Sequence, residues 1–236
     1  SVAALRDVSF DLHRGDSVGI VGESGSGKTT LARIIAGLER PSQGTVHGDL
    51  GAGGPRRHRQ SRVQYVFQDS TSSLNPHLRL GAIIGEFLPD SVVGRQARED
   101  RAARLLAEVG LPAEYLRRYP RQLSGGQRQR VGIARALAAE PDLIVADEPV
   151  SALDVSVQAT VINLLNRLRV THGISYIVVS HDIGVVSFLC NKLIVINHGE
   201  VQETGPTERV LAAPRADYTR ALLDAVPGAR LEALPV

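Results

Sequence analysis

Apolar residues in this chain fall into short continuous runs separated by longer stretches of helical spacing, the pattern of strands alternating with helices. Ser17-Val18-Gly19-Ile20-Val21 reads as a buried strand, and Leu31 to Leu38 has the spacing of a helix. Leu143-Ile144-Val145-Ala146 is an unbroken apolar run of the kind a parallel strand shows when both its faces are covered. Ile174 to Ser180 reads as another strand, and Leu193–Ile196 with Glu200–Glu203 flank Asn197-His198-Gly199 as a hairpin. Val8 to Leu12 is also strand-like. From about Gly81 to Pro141 the pattern is largely helical: Arg95 to Val109 is charged and alanine-rich, and a helix from about Gly125 to Ala139 is stopped by Glu140-Pro141. The tail from Pro206 reads as a helical extension. The fold class is therefore α/β, with no internal repeats.

The first strand and helix enclose Gly22-Glu23-Ser24-Gly25-Ser26-Gly27-Lys28-Thr29, the G-x-x-x-x-G-K-[ST] pattern of a phosphate-binding loop. Glycines at 22, 25 and 27 permit backbone conformations that let successive N–H groups ring an anion at the positive end of a helix. Lys28 is one of only two lysines among 27 basic residues, which marks it as placed rather than decorative. It supplies a mobile charge for the β- and γ-phosphates, and the hydroxyl of Thr29, next to Thr30, can ligate Mg²⁺. A chance glycine-rich turn is rejected, since accidental matches are expected in only about a few per thousand chains of this length, and strand, loop and helix occur in order.

The apolar run at 143–146 ends in Asp147-Glu148-Pro149. Carboxylates at the carboxyl end of a parallel strand face the ligand crevice of an open α/β sheet. Asp147 is thereby the candidate Mg²⁺ ligand, through water, and Glu148 the candidate acceptor of a proton from an attacking water. Alone, this pair would be read as a solvated loop.

Composition narrows the class. With 43% hydrophobic and 22% charged residues, the 236-residue chain is ordinary for a globular protein. No apolar run approaches the roughly 18 residues needed to cross a bilayer, and no secretory signal opens it, so the expected location is the cytosol. A net charge of +2 does not point to nucleic acid, even with Arg56-Arg57-His58-Arg59, which reads as a solvated loop. The single Cys190 excludes an internal disulfide and reads as a buried, inert thiol. The start at Ser1 and the absence of methionine lead us to expect a part of a longer polypeptide.

Leu123-Ser124-Gly125-Gly126-Gln127 and the following Arg128 to Leu137 resemble the signature motif of the ATP-binding cassette (ABC) family. Physically, a Ser and two glycines leading into a helix present a second set of free N–H groups to an anion. The resemblance covers essentially the whole chain and implies that Ser124, Gly125, Gly126 and Gln127 face the ATP of a partner cassette in a head-to-tail dimer. It further implies a Q-loop role for Gln68, contacting Mg²⁺ and the attacking water. Asp154, in Ser151-Ala152-Leu153-Asp154, matches the D-loop, and His181 matches the switch histidine at the γ-phosphate. The implied fold is a P-loop NTPase (RecA-like) core, 1–80 and 142–205, with antiparallel edge strands, an inserted ABC helical subdomain at 81–141 and an extension at 206–236. The family's adenine-stacking aromatic has no match, since Phe10 reads as a core residue.

Three stretches resemble the oligopeptide, dipeptide and nickel importer subfamily: 68–76, 148–159 and the tail 214–227, where Asp217 stands in place of the usual proline. The exporter-type glutamate loop and the C-terminal cysteine cluster of some members are absent. The resemblance implies an ATPase using ATP and Mg²⁺ at the cytoplasmic face of the cell membrane. Its implied partners are a second cassette, two transmembrane permease subunits and an extracytoplasmic solute-binding protein, with no nucleic acid. Peptide, nickel and other solutes stay open. The alternative is a non-transport ABC ATPase of translation or DNA repair, whose coiled-coil insertion or charged linker is not visible here.

Overall fold

A computed structural model describes residues 4–48, 63–67 and 73–225. Its sheet contains β1 (Ser17–Val21), β2 (Val63–Val66), β3 (Leu143–Asp147), β4 (Ser175–Ser180), β5 (Lys192–Asn197) and β6 (Glu200–Pro206), in the order β2-β3-β4-β1-β5-β6. All neighbours run parallel except β6, which returns antiparallel to β5 at one edge. Period-two alternation sends Val18, Ile20, Leu143, Val145, Ile177, Val179, Ile194 and Ile196 to one buried cluster. Their neighbours Ile144, Ala146, Tyr176, Val178, Leu193 and Val195 enter the other. Both faces are covered, which is why these strands read as unbroken apolar runs.

Helix α1 (Lys28–Ile35) packs Leu31 and Ala32 onto the first face. The second face takes α2 (Leu80–Gly85), α3 (Arg95–Glu108), α4 (Gly125–Ala138), α5 (Val155–His172), α6 (Ile183–Leu189) and α7 (Thr207–Ala212). A last helix, α8 (Asp217–Asp224), lays Tyr218, Leu222 and Leu223 against the same cluster. Leu105, Leu106 and Ile133 of the helical segment share one core with Ile144 and Val178 of the sheet, so the helices are seated on the strands that carry the candidate chemistry. Close approach is built in at Gly19, where an added Cβ would lie 1.8 Å from Val186 Cγ1 of α6.

Helix α1 begins at Lys28, three residues before its first apolar position, because the phosphate loop runs directly into its first turn. Val8 to Leu12 alternates between half-buried and exposed as a strand would, with Phe10 packed on the first face, yet no ladder pairs with it among the described residues. Strand β2 went unpredicted: it is four residues long and half exposed at one end.

Candidate active site

Parallel register brings the separated motifs to one edge. Val21 lies opposite Ser180, and Asp147 opposite Val179, so the segments starting at Gly22, Glu148 and His181 all leave the sheet at its carboxyl side. This is where ligands bind in such sheets.

The loop after β1 needs its glycines. Gly22 has φ 154°, and a Cβ there would sit 2.0 Å from the carbonyl oxygen of Ile196; Gly27 has φ 100°, with Ala4 O 2.5 Å from a would-be Cβ. The buried Lys28 side chain turns back into the loop, donating from Nζ to Gly22 O at 2.8 Å and Glu23 O at 2.7 Å, with Ser26 Oγ at 3.5 Å. Burial pushes the ammonium below its ordinary range, against the opposing pull of Glu148, Asp147 and Glu23. A cation held at a cost in desolvation, with two backbone carbonyls as its nearest partners among the described residues, is well placed to exchange them for phosphate oxygens. Thr29 and Thr30 follow in the first turn of α1.

Asp147 is buried at the end of β3. Its Oδ1 accepts from Thr29 Oγ1 at 3.3 Å and its Oδ2 from Tyr65 OH at 2.7 Å. Burial and the neighbouring carboxylate raise the Tyr65 phenol far above its usual range, so it remains a donor. Tyr65 was missed in the sequence; the only signal was the short β-prone run Val63–Phe67 before Gln68.

Glu148 has a left-handed backbone, φ 50°, held by its N–H to Val179 O at 2.9 Å and by Ser151 Oγ to its carbonyl at 3.2 Å. Non-glycine residues in this region carry strain and cluster at functional sites. Its Oε1 accepts from the His181 N–H at 3.1 Å and lies 2.7 Å from His181 Nδ1. Its Oε2 is buried and has no hydrogen-bond partner among the described residues. An orphaned carboxylate oxygen at the mouth of a phosphate loop is what a proton acceptor awaiting water requires. Ser180 and Asp182 frame the histidine: Asp182 N donates to Ser180 Oγ, and Asp182 Oδ1 caps α6 at Gly184 N.

The residues fit Mg²⁺ as well as phosphate. Thr29 and Asp147 offer oxygen ligands, and among the described residues no group of three His, Cys, Asp or Glu converges into a protein cage. Mg²⁺ is usually held this way, by one or two protein oxygens with water and phosphate oxygens completing the shell.

The signature residues lie elsewhere. Ser124 caps α4: its Oγ accepts from Gln127 N at 3.3 Å while Gln127 Oε1 accepts from Ser124 N at 3.0 Å, a capping box. Gly125 opens the helix, and Gly126 is buried against Val157. Among the described residues no hydrogen bond joins 124–127 to the 22–30 loop; Gln127 Nε2 reaches Tyr115 OH instead. Asp154 is the exposed N-cap residue of α5, its carbonyl accepting from Val157 N and Gln158 N. Gln68, the Arg56–Arg59 cluster and the tail beyond 225 lie outside the described residues. Cys190 is buried, and burial raises its thiol, as an inert core cysteine requires.

Residues 5–151 match the family model described as ABC transporter. A Brucella ovis protein named for peptide import ATP binding is 48% identical over 94% of this chain and 72% of its own length. An Escherichia coli ATP-binding protein named for D,D-dipeptide transport is 44% identical over 96% of this chain and 71% of its own. Among solved structures, a dimeric ATP-binding cassette in a post-hydrolysis state with ADP and phosphate superposes with a TM-score of 0.74, at 34% identity, over 86% of this chain and 90% of that one. Family match, shared identity and the loop, carboxylate and signature elements converge: the chain belongs to the ABC transporter family, as one of its nucleotide-binding ATPases.

Proposed function

We propose that this chain is the ATP-hydrolysing subunit that energises import of peptides or a similar small solute. The hydrolytic part rests on one observation: beside the phosphate loop, Glu148 presents a buried Oε2 with no partner among the described residues, while its other oxygen is held by His181. The peptide part rests on relatives named for peptide import and dipeptide transport.

The N–H groups from Gly27 to Thr30 and the side chain of Lys28 hold the phosphates, with Gly22, Glu23, Ser24, Gly25 and Ser26 shaping the loop. Mg²⁺, held by Thr29 and Asp147, with Gln68 assigned to it by the family resemblance, would offset charge on the β- and γ-phosphate oxygens. Glu148 Oε2 accepts the proton as water attacks the γ-phosphorus and the bond to the ADP oxygen breaks. His181 fixes Glu148 and approaches the γ-phosphate. Ser124, Gly125, Gly126 and Gln127, which share no hydrogen bond with the chain's own loop among the described residues, serve with Asp154 the nucleotide of a second cassette.

In this reading 1–80 and 142–205 form the catalytic core, 81–141 a helical subdomain facing the permease, and 206–236 an extension. The cassette sits at the cytoplasmic face of the membrane beneath two permease subunits, supplied by an extracytoplasmic solute-binding protein. No helix of the described residues is long and apolar enough to cross a membrane. Reconstitution of the chain with its cognate permease, partner cassette and binding protein in proteoliposomes tests the proposal: ATP should drive peptide uptake, and loaded binding protein should stimulate hydrolysis. Association with ribosomes or DNA, with no permease co-purifying in mild detergent, would overturn it.

A further inference from the structure

We propose that Tyr218 of α8 is a positioning residue for nucleotide binding: its hydroxyl holds the phosphate loop at Glu23, which couples docking of the C-terminal helix to nucleotide affinity. The inference rests on the reading that residues 22–29 bind nucleotide.

Three observations carry it. Tyr218 OH accepts the Glu23 backbone N–H at 3.0 Å, a contact between residues 195 apart in the chain. The same residue's carbonyl accepts from Lys28 Nζ at 2.7 Å and from Ser26 N at 3.2 Å, so both backbone groups of Glu23 are engaged, one by α8 and one by the cation that must meet phosphate. Glu23 itself is exposed, and apart from Tyr218 nothing in the described residues bonds its N–H. The N–H groups at the start of α1 remain available to an anion, because the first turn of a helix leaves them without intrahelical partners. Holding residue 23 therefore shapes the loop without occupying an N–H of that turn.

The helix end of this strut is anchored to the sheet. Val21, the last residue before the loop, is in register with Val195, and Val195 with Glu203 of β6. The Glu203 carboxylate accepts the N–H of Arg215 at 3.1 and 3.0 Å and that of Ala216 at 3.1 Å, fixing the segment that enters α8. Tyr218, Leu222 and Leu223 then pack on the core. The strut thus runs from β1, which delivers the phosphate loop, to β6, two strands away on the same row of the sheet. A ligand that needs the loop in this shape must favour the docked helix, and by linkage the docked helix must favour the ligand.

The test is Tyr218→Phe in the full chain, which deletes one oxygen at a half-exposed ring and leaves the packing in place. Titration calorimetry with MgATP should show affinity weakened about three- to tenfold, the usual worth of one hydrogen bond. Hydrogen exchange should speed up at the Glu23 amide. In the wild type, saturating MgATP should slow exchange over 217–224, and this protection should shrink in the variant. Unchanged or tighter MgATP binding would overturn the proposal, as would a lower urea midpoint with affinity preserved, the mark of a merely structural contact. If the wild type itself shows no MgATP binding that Lys28→Ala abolishes, the reading of the loop fails instead, and the two failures are distinct.

Discussion

Glu148 and His181 are joined twice: one carboxylate oxygen of Glu148 accepts the His181 backbone N–H at 3.1 Å and lies 2.7 Å from its ring Nδ1. A single carboxylate oxygen is pinned by two donors from the next strand's end, so the other is aimed. Glu148→Gln keeps an oxygen that can accept from the His181 N–H but loses the proton acceptor. Hydrolysis is expected to fall roughly 10²–10⁴-fold with ATP binding retained. Single-turnover hydrolysis at the wild-type rate, with the partner site inactivated, would contradict this role.

The reading that the signature residues serve the nucleotide of a second cassette predicts function in trans. Ser124→Arg removes the α4 cap, at a cost of about 1 kcal/mol, and sets a guanidinium where a phosphate should lie. In a heterodimer with one substituted cassette, hydrolysis should fail at the partner's loop while the substituted chain's own loop still binds ATP. Cross-linking nucleotide to each site separately reads this out. Failure confined to the substituted chain's own nucleotide would refute the arrangement.

Tyr65 orients Asp147 through the 2.7 Å bond to Oδ2. Tyr65→Phe should raise the Mg²⁺ concentration needed for half-maximal nucleotide binding several-fold and destabilise the fold by about 1–3 kcal/mol, the cost of a buried acceptor losing its donor. A Mg²⁺ titration matching the wild type would show that Asp147 holds its orientation without the phenol.

Glu203 gives the pH dependence. Burial alone would raise its carboxyl, but the N–H groups of Ala216 and Arg215, together with Thr219 and the charge of Arg209, outweigh this and hold it below the ordinary value of 4.5. A depressed folded-state pKa contributes stability that is present above the unfolded value and lost as pH falls through the folded one. Protection of α8 amides should therefore fade in the acid range below about pH 4.5 and not between pH 6 and 8. Glu203→Gln should flatten that dependence; an unchanged profile would assign the transition to another group.

Gly19 allows α6 to touch β1. Gly19→Ala places a methyl 1.8 Å from Val186 Cγ1 and should destabilise by about 1–3 kcal/mol, with Val186→Ala in the same chain recovering part of the loss. Simple addition of the two penalties in urea unfolding would show that the methyl groups do not meet.

Much of the site was legible in the sequence because its chemistry is local. The glycine–lysine loop, the Asp147-Glu148 pair and the Ser-Gly-Gly lead into α4 each depend on residues a few positions apart, and periodic apolar runs placed the first two on strand ends. Tyr65 and Tyr218 were not legible, because each acts through one hydroxyl on a partner 82 and 195 residues away, and no local pattern records such a pairing. Val8 to Leu12 failed for the complementary reason. Alternating burial was there, but a strand also needs a neighbour to bond.

By itself the sequence determined most of the strands and helices, β2 and the unpaired run at 8–12 apart, together with which loop can hold phosphate and which acids stand ready at a strand end, since backbone sterics, apolar periodicity and the need for an anion-binding turn all act within a few residues. Only the tertiary structure decided the strand order that sets β4 between β1 and β3, the register that aligns Val21 with Ser180 and Asp147 with Val179, and the hydroxyls of Tyr65 and Tyr218 that fix the two halves of the site. Those depend on burying both faces of the sheet at once and on satisfying polar groups across it, conditions that the whole folded chain meets together and no single segment can express.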